Sequence, residues 1–103
     1  ELDRADPALG TPDGAVVVAS SEGHGPSFIV VPEELLSHIA TVSGEKPARL
    51  LRADMTYAEL PGGGAVFAVG SITFCGSLSH NRYDNNVSRI LRNVLDRFRG
   101  RTA

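Results

Sequence analysis

The feature that most constrains the fold is an apolar stripe near the end of the chain. Its residues recur at the spacing of one helical face with 3.6 residues per turn, and polar residues lie between them: Val87, Ile90, Leu91, Val94, Leu95 and Phe98. Asp84, Asn85 or Asn86 can cap the start of this helix, and Gly100 is expected to end it. Because such a stripe needs a surface to cover, the sequence predicts a long amphipathic helix that lies on a sheet.

The residues before this helix predict a hairpin followed by a polar loop. Residues 49–57 alternate with period two, which places Leu51, Ala53, Met55 and Tyr57 on one face and Arg52, Asp54 and Thr56 on a wetter one. Residues 62–64 are three glycines, which reverse a chain cheaply. We therefore expect residues 49–57 to pair antiparallel with residues 65–70. Residues 70–86 are dense in small and polar residues and are expected to form a loop.

The first half of the chain predicts a linker, two strands and a short helix. Residues 1–13 lack apolar periodicity and are interpreted as a linker or surface loop. Residues 15–19 are an uninterrupted valine-rich run, typical of a strand covered on both faces. Residues 28–31 predict a second strand, stopped by Pro32, and residues 33–40 favour a short helix. A strand that continues through Glu34 is the alternative. The coarse class is α/β or α+β.

Composition excludes several classes of protein. At 103 residues the chain is one domain at most. The formal net charge is -2, and there is no basic block before the last helix. The sequence therefore gives no sign of the positively charged surface that binds nucleic acid. No apolar stretch approaches the roughly 20 residues that span a bilayer. Cys75 is the single cysteine, which suits a reducing cytoplasm. Since the chain begins at Glu1 rather than methionine, we expect a processed protein or the tail of a longer one.

Three motifs carry a resemblance to a known family. The run GGAVFAVGSITFCGSLSHNRYDNNVSRILRNVLDRF (residues 63–98), with SSEGH (20–24) and RADM (52–55) in the same order, resembles the closing segment of the N,N-dimethylformamidase large-subunit (beta-subunit) family. The most specific part is GSLSHNRYDNNVSR, residues 76–89. The resemblance covers most of residues 14–98 and is weaker between residues 26 and 49, where no functional residue is assigned.

This resemblance implies a fold and an activity. Residues 14–100 are expected to be the C-terminal α/β segment of a larger protein, with a partial glutamine-amidotransferase-like sheet, a C-terminal β-hairpin and the long helix packed on it. The implied reaction is hydrolysis of a small N-substituted formamide to formate and an amine. The implied cofactor is a mononuclear iron bound by two tyrosines and a glutamate. These ligands are expected outside this chain, so Tyr57 and Tyr83 are not assigned as ligands.

The resemblance also implies partners and a location. The expected partners are the upstream catalytic region of the same polypeptide and a small subunit, with further homo-oligomerisation. Nucleic acid and membrane are not expected as partners, and the expected location is cytoplasmic. A noncatalytic packing or oligomerisation domain of a larger protein is the alternative. Under either interpretation the chain alone is expected to be inactive, because it lacks the iron ligands.

The candidate catalytic residues are Glu22, His24 and His80. Glu22 and His24 are an acid and a base in the glycine-containing loop after the first strand, although a charged turn of this kind is often only solvated. By resemblance Glu22 is the candidate water-activating base. His80 lies in the polar loop near the start of the long helix, where an imidazole can act as a base. The alternative is that the hydroxyl and amide side chains of the polar loop only form hydrogen bonds with one another and cap the helix.

A thiol hydrolase site is a third hypothesis. Cys75, His80 and Glu22 are the residue types of such a triad. The hypothesis is disfavoured, because Cys75 follows Phe74 in an apolar context that predicts a buried, inert thiol. No glycine pattern typical of a nucleophile elbow surrounds it.

Overall fold

A computed structural model describes residues 2–24 and 51–101. Its centre is a three-stranded antiparallel sheet in the order β1-β2-β3, formed by β1 (Val16–Ser21), β2 (Ala53–Glu59) and β3 (Ala65–Ala68). A short 3₁₀ helix (Pro7–Leu9) precedes the sheet, and two α-helices follow it, α1 (Phe74–Ser77) and α2 (Asn86–Arg101). The chain is therefore a mixed α/β structure. The strand predicted at residues 28–31 and the helix predicted at 33–40 lie outside the described residues.

Strands β2 and β3 form the predicted hairpin. Tyr57 lies opposite Phe67, and Glu59 lies opposite Ala65. In the turn the Leu60 N–H donates to the Gly64 carbonyl at 2.8 Å, and Gly63 adopts a φ of +92°, which favours glycine. The antiparallel pairing and the glycine turn are confirmed. The strand itself begins at residue 53, and residues 51 and 52 precede it.

Strand β1 forms where the valine-rich run predicts a strand, but the prediction that both its faces are covered is wrong for this chain. Val16 is 57% exposed and Val17 is 48% exposed. The valines are exposed because β1 lies at the edge of the sheet, where among the described strands it pairs with β2 alone. An apolar run indicates suitability for burial and does not identify what buries it.

A β-bulge in β1 sets which side chains share a face with β2. Val17 lies opposite Thr56, but Ala19 rather than Val18 lies opposite Met55. The extra residue shifts the register by one position, as bulges do. Ser20 therefore lies opposite Asp54, a place that Ala19 would occupy in a regular ladder.

The long helix α2 lies against β2, as the apolar stripe predicts. Phe98 stacks on Tyr57 with ring centroids 6.2 Å apart, and Val94 is buried. Arg97 donates to the Tyr57 hydroxyl at 3.1 Å and to the Glu59 carboxylate at 2.8 Å. The prediction that Gly100 ends the helix is wrong, because the helix continues to residue 101.

Asn85 caps the start of α2 and ties the polar loop to it. Its Oδ1 accepts from the Ser88 backbone N–H at 2.9 Å, the bond expected of an N-cap. Its Nδ2 donates to the carbonyls of Leu78 at 2.9 Å and His80 at 2.7 Å. The Ser88 hydroxyl also donates to the Leu78 carbonyl at 2.6 Å. Of the three predicted cap residues, Asn85 is the one that forms this contact.

The N-terminal segment, residues 2–12, is hydrogen bonded to the sheet. The Asp54 N–H donates to the Asp3 carbonyl at 2.9 Å, and the Asp3 N–H donates to the Gly70 carbonyl at 2.7 Å. Leu2 also forms a bridge with Ser71. This segment therefore joins the start of β2 to the loop after β3. The domain boundary at residue 13 and the glutamine-amidotransferase-like arrangement stay predictions.

Gly70 is required at this junction. Its φ is +73°, and a Cβ added there lies 2.4 Å from the Asp54 carbonyl oxygen and 3.0 Å from the Asp3 carbonyl oxygen. Both neighbours are backbone atoms, which cannot rotate away as a flexible side chain can. Any side chain at residue 70 must therefore displace β2 or the N-terminal segment.

We expect Gly70→Ala to lower the free energy of unfolding by more than about 2 kcal/mol, since the left-handed backbone costs roughly 1–2 kcal/mol and the contact adds to it. Gly76→Ala in α1 is the control, because a Cβ there has nothing within 4 Å. It should be neutral or stabilise by up to about 1 kcal/mol. Urea unfolding measures both, and equal effects of the two substitutions would contradict the packing described at Gly70.

Candidate functional site

The carboxylate of Asp54 is a buried polar group that accepts three hydrogen bonds. Asp54 is only 4% exposed, and it lies at the start of β2. Its Oδ2 accepts from the Ala5 backbone N–H at 2.9 Å and from Arg52 Nε at 3.2 Å. Its Oδ1 accepts a short hydrogen bond from the Ser20 hydroxyl. The carboxylate thus contacts the N-terminal segment, β1 and β2 together, and we call these four residues the Asp54 network.

The hydrogen bonds to Asp54 favour its charged form. Burial by itself raises the pKa of this carboxyl, because it disfavours the charged form. The hydrogen bonds from Ser20, Ala5 and Arg52, with the positive charge of Arg52, outweigh burial and hold the pKa below its ordinary value of 3.8. Asp54 is therefore an ionised carboxylate at neutral pH, stabilised by three donors.

Arg52 completes the attachment of the N-terminal segment. Its Nη2 donates to the Ala5 carbonyl at 3.0 Å, while its Nε donates to Asp54. Arg52 and Asp54 therefore bind both backbone groups of Ala5. The prediction of a wetter face agrees with the exposure of Val66 on that side of the sheet, but the N-terminal segment and Ser20 cover the Asp54 side chain itself. Alternation along β2 gives no signal of this, since it does not show what packs on each face.

The Asp54 network joins two of the motifs quoted above. Ser20 is the first residue of SSEGH, and Arg52 and Asp54 belong to RADM. Ser20 and Asp54 are 34 residues apart in the sequence, and the β1 bulge aligns them. The hydrogen bond from Ser20 to Asp54 fixes the end of β1 just before the loop that carries Glu22 and His24.

The structure places Glu22 and His24 directly after β1. Glu22 is exposed, and His24 is half-buried. The Nε2 atom of His24 lies 3.2 Å from both the hydroxyl and the carbonyl oxygen of Ser21. This contact turns the loop back onto the last residue of β1. The loop is therefore anchored at two places, by Ser21 and by the Ser20–Asp54 bond.

His80 lies in the turn between the two helices. The side chain is exposed, and its carbonyl, rather than its imidazole, accepts the bond from Asn85. Within residues 2–24 and 51–101, no hydrogen bond joins His80 to Glu22 or His24. Asn85 holds the carbonyls of Leu78 and of His80 itself, so these hydrogen bonds fix the turn through its backbone and not through the imidazole. The catalytic roles of Glu22, His24 and His80 stay predictions.

The thiol of Cys75 is exposed, which makes the prediction of a buried thiol wrong. Phe74 is the buried residue of α1, and its ring meets Phe67 edge-on with centroids 6.3 Å apart. No hydrogen bond connects Cys75 to His80 or Glu22 in the described part of the chain.

The described residues contain neither a cluster of His, Cys, Asp or Glu suited to a metal ion nor a membrane-spanning helix. Among them, no group of three or more His, Cys, Asp or Glu residues lies close enough to hold a metal ion. The helices described here include none that is long and apolar enough to cross a bilayer.

Comparison with known proteins decides the family. Residues 1–85 match the family described as "N,N-dimethylformamidase beta subunit-like, C-terminal". The chain belongs to this family. It is 46% identical over 99 residues to the N,N-dimethylformamidase beta subunits of Alcaligenes sp. and of Paracoccus aminophilus. Each match covers 95% of this chain and 13% of the relative, so the chain corresponds to a small part of each curated protein. The resemblance inferred from the three motifs is confirmed.

We expect the stability of the protein to depend on the charge of Asp54. Because its pKa is lowered on folding, the contribution is fully present above the ordinary value of 3.8 and is lost as the pH falls through the folded value. Asp54→Asn should cost about 1–3 kcal/mol at pH 7 and less at pH 2. Urea unfolding at both pH values measures this. A cost that does not shrink at low pH would contradict the assignment of an ionised carboxylate.

Proposed function

We propose that this chain is the C-terminal part of an amide hydrolase of the dimethylformamidase kind. The substrate class is a small N-substituted formamide, and the products are formate and an amine. The support is the 46% identity to N,N-dimethylformamidase beta subunits along nearly the whole chain. The rest of such a protein supplies the remainder of the catalytic site, since the matched segment is 13% of each relative.

In this proposal the chain completes the fold and forms one wall of the active site. The wall is the loop that carries Glu22 and His24. The observation that carries the proposal is the bond from Ser20 to the buried Asp54, because it fixes the root of this loop two residues before Glu22. A fixed root suits a loop that carries a catalytic group, because a misplaced catalytic group loses rate steeply.

In the proposed reaction Glu22 acts as the general base, and the proton that it accepts is later transferred to the leaving amine. Glu22 accepts a proton from a water molecule whose oxygen bonds to the formamide carbonyl carbon. The C–N bond then breaks, and the proton passes to the amine nitrogen, which leaves formate and the amine. His24 and His80 are candidates to donate hydrogen bonds or to relay this proton. The iron that the resemblance implies would, when bound, supply Lewis-acid polarisation of the amide carbonyl. Tyr57 and Glu59 do not fit its ligand set, because Arg97 donates hydrogen bonds to both of them, and Tyr83 is 67% exposed. We therefore propose that the iron is bound elsewhere in the parent protein.

A second candidate is a noncatalytic packing or oligomerisation domain. It is favoured by the exposed apolar residues of the sheet, above all those of β1. In that case the SSEGH loop serves an interface, and its charged residues contribute nothing to turnover.

Substitution of Glu22 separates the two candidates. In the full-length protein we expect Glu22→Gln to lower kcat for a formamide substrate by about 10²-fold or more, because the amide cannot accept the proton. The fold should be unchanged, since Glu22 is exposed. Steady-state kinetics and circular dichroism measure the two quantities.

The matched control is Asp13→Asn, which also neutralises an exposed carboxylate in a turn of the same chain. It should leave kcat within about twofold of the parent protein, as expected of a surface substitution away from the site. An unchanged rate in Glu22→Gln overturns the assignment of the base. Equal losses in the two variants point to a general charge effect and overturn it as well.

A further inference from the structure

The turn between α1 and α2 contains a run of left-handed backbone. Three consecutive residues other than glycine have a positive φ: Asn81 at +51°, Arg82 at +55° and Tyr83 at +67°. The left-handed region is unfavourable for a residue with a Cβ, and such residues normally enter it singly. Outliers of this kind persist only where the surrounding structure holds them, and they are concentrated at functional sites. The run is therefore a strained segment that its neighbours must keep in place.

The run is stiffer than a glycine turn of the same shape. At every other described position with a positive φ the chain has a glycine, as at Gly63 and Gly70. Glycine enters the left-handed region without strain, but it also leaves the backbone free to adopt many other conformations. Residues 81–83 carry side chains, which restrict those alternatives. This turn therefore gives the chain a rigid path at a free-energy cost that glycines would avoid.

Hydrogen bonds from the start of α2 hold the turn. The Nδ2 atom of Asn85 donates to the carbonyls of Leu78 at 2.9 Å and His80 at 2.7 Å. At the other side of the run, the Asn81 side-chain amide donates to the Asp84 carbonyl at 3.1 Å, and the Asp84 N–H donates back to the Asn81 carbonyl at 3.0 Å. Asn85 thus binds the backbone before the strained run, which closes the turn against α2.

Capping of the helix does not require the donor of Asn85. The cap contact uses Oδ1, which accepts from the Ser88 N–H at 2.9 Å. An aspartate caps a helix equally well and has no side-chain donor when ionised. The Nδ2 group, which binds the two carbonyls, therefore contributes to the shape of the turn rather than to the cap.

His80 combines a held backbone with an unengaged acid–base group. Its carbonyl accepts from Asn85, and its N–H donates to the Ser77 carbonyl at 3.3 Å. Its imidazole is exposed and forms no hydrogen bond or ion pair with residues 2–24 and 51–101. A catalytic imidazole needs this arrangement, because the backbone that carries it must be fixed while its nitrogens stay available for proton transfer.

We propose that Asn85 is a positioning residue for the proposed amide hydrolysis. It holds the stiff turn through the carbonyls of Leu78 and His80, and so fixes where the His80 imidazole reaches. The inference rests on the proposed function, because it requires His80 to take part in turnover. In that reaction the imidazole accepts the proton that Glu22 took from water and gives it to the leaving amine nitrogen, which returns both side chains to their starting state. Asn85 itself touches no reacting atom.

An isosteric substitution separates the turn from the cap. In the full-length protein Asn85→Asp keeps the cap oxygen and replaces the donor with an acceptor that repels the two carbonyls. We expect kcat for a formamide substrate to fall at least about tenfold, since misplaced catalytic groups lose rate steeply. Circular dichroism should be unchanged. The matched control is Asn86→Asp, which adds the same charge one residue later and should stay within about twofold. An unchanged rate in Asn85→Asp, or equal losses in the two variants, overturns the proposal.

A double-mutant cycle on kcat shows whether Asn85 acts through His80. If it does, Asn85→Asp should cost less than about twofold when His80 is already alanine, because there is no imidazole left to misplace. A purely structural role costs the same factor in both backgrounds. Equal losses with and without His80 therefore overturn the proposal, whatever their size.

A second pair of variants tests the stiffness of the turn without a change at Asn85. Arg82→Gly and Arg82→Ala both remove the guanidinium, but only glycine relieves the left-handed backbone and frees it. We expect kcat of Arg82→Gly to lie at least about threefold below that of Arg82→Ala, with faster amide hydrogen exchange at residues 79–84. Equal kcat values in these two variants overturn the proposal, also where Asn85→Asp does not fold.

The same kinetics separate this inference from the proposed function. A full-length protein that hydrolyses no formamide rejects both. An active parent protein with an inactive Glu22→Gln variant, and with His80→Ala at the parent rate, retains the hydrolase and rejects the positioning role of Asn85. Coupled losses at residues 80 and 85, together with an active Glu22→Gln variant, retain the positioning role and reject the assignment of Glu22.

Discussion

The hydrogen bond between the Ser20 hydroxyl and the buried Asp54 carboxylate is the contact on which the arrangement of this chain depends. Three segments that are distant in sequence meet at one side chain, since Asp54 also binds Ala5 and Arg52. A buried carboxylate is stable only when donors surround it, and here each donor comes from a different part of the junction. The same group therefore stabilises the N-terminal segment, the edge strand β1 and the root of the SSEGH loop.

This network also fixes the candidate catalytic loop. The Ser20 hydroxyl donates to Oδ1 of Asp54, whereas the Ala5 N–H and Arg52 Nε donate to Oδ2. The two oxygens of one carboxylate therefore hold β1 and the N-terminal segment together, and the loop that carries Glu22 and His24 begins directly after the residue bound to Oδ1 and its neighbour Ser21.

The sequence predicts those features that depend on local pattern. The apolar spacing of α2 and the glycine turn before β3 are of this kind, and both helix and hairpin form where expected. The sequence does not predict the features that depend on tertiary contacts. The bulge in β1 that brings Ser20 to Asp54 has no local signature, and the burial of Asp54 requires the N-terminal segment. The candidate site could be predicted as residue types in a loop, but not as a loop anchored by a buried carboxylate.

A double-mutant cycle between Ser20 and Asp54 tests the central claim most directly. The free energies of unfolding of the parent protein, Ser20→Ala, Asp54→Asn and the double variant give the coupling between the two side chains. The network predicts a coupling of about 1 kcal/mol or more, because each substitution removes the partner of the other. Additive effects, within about 0.3–0.5 kcal/mol, would show that the two groups act independently and would contradict the account.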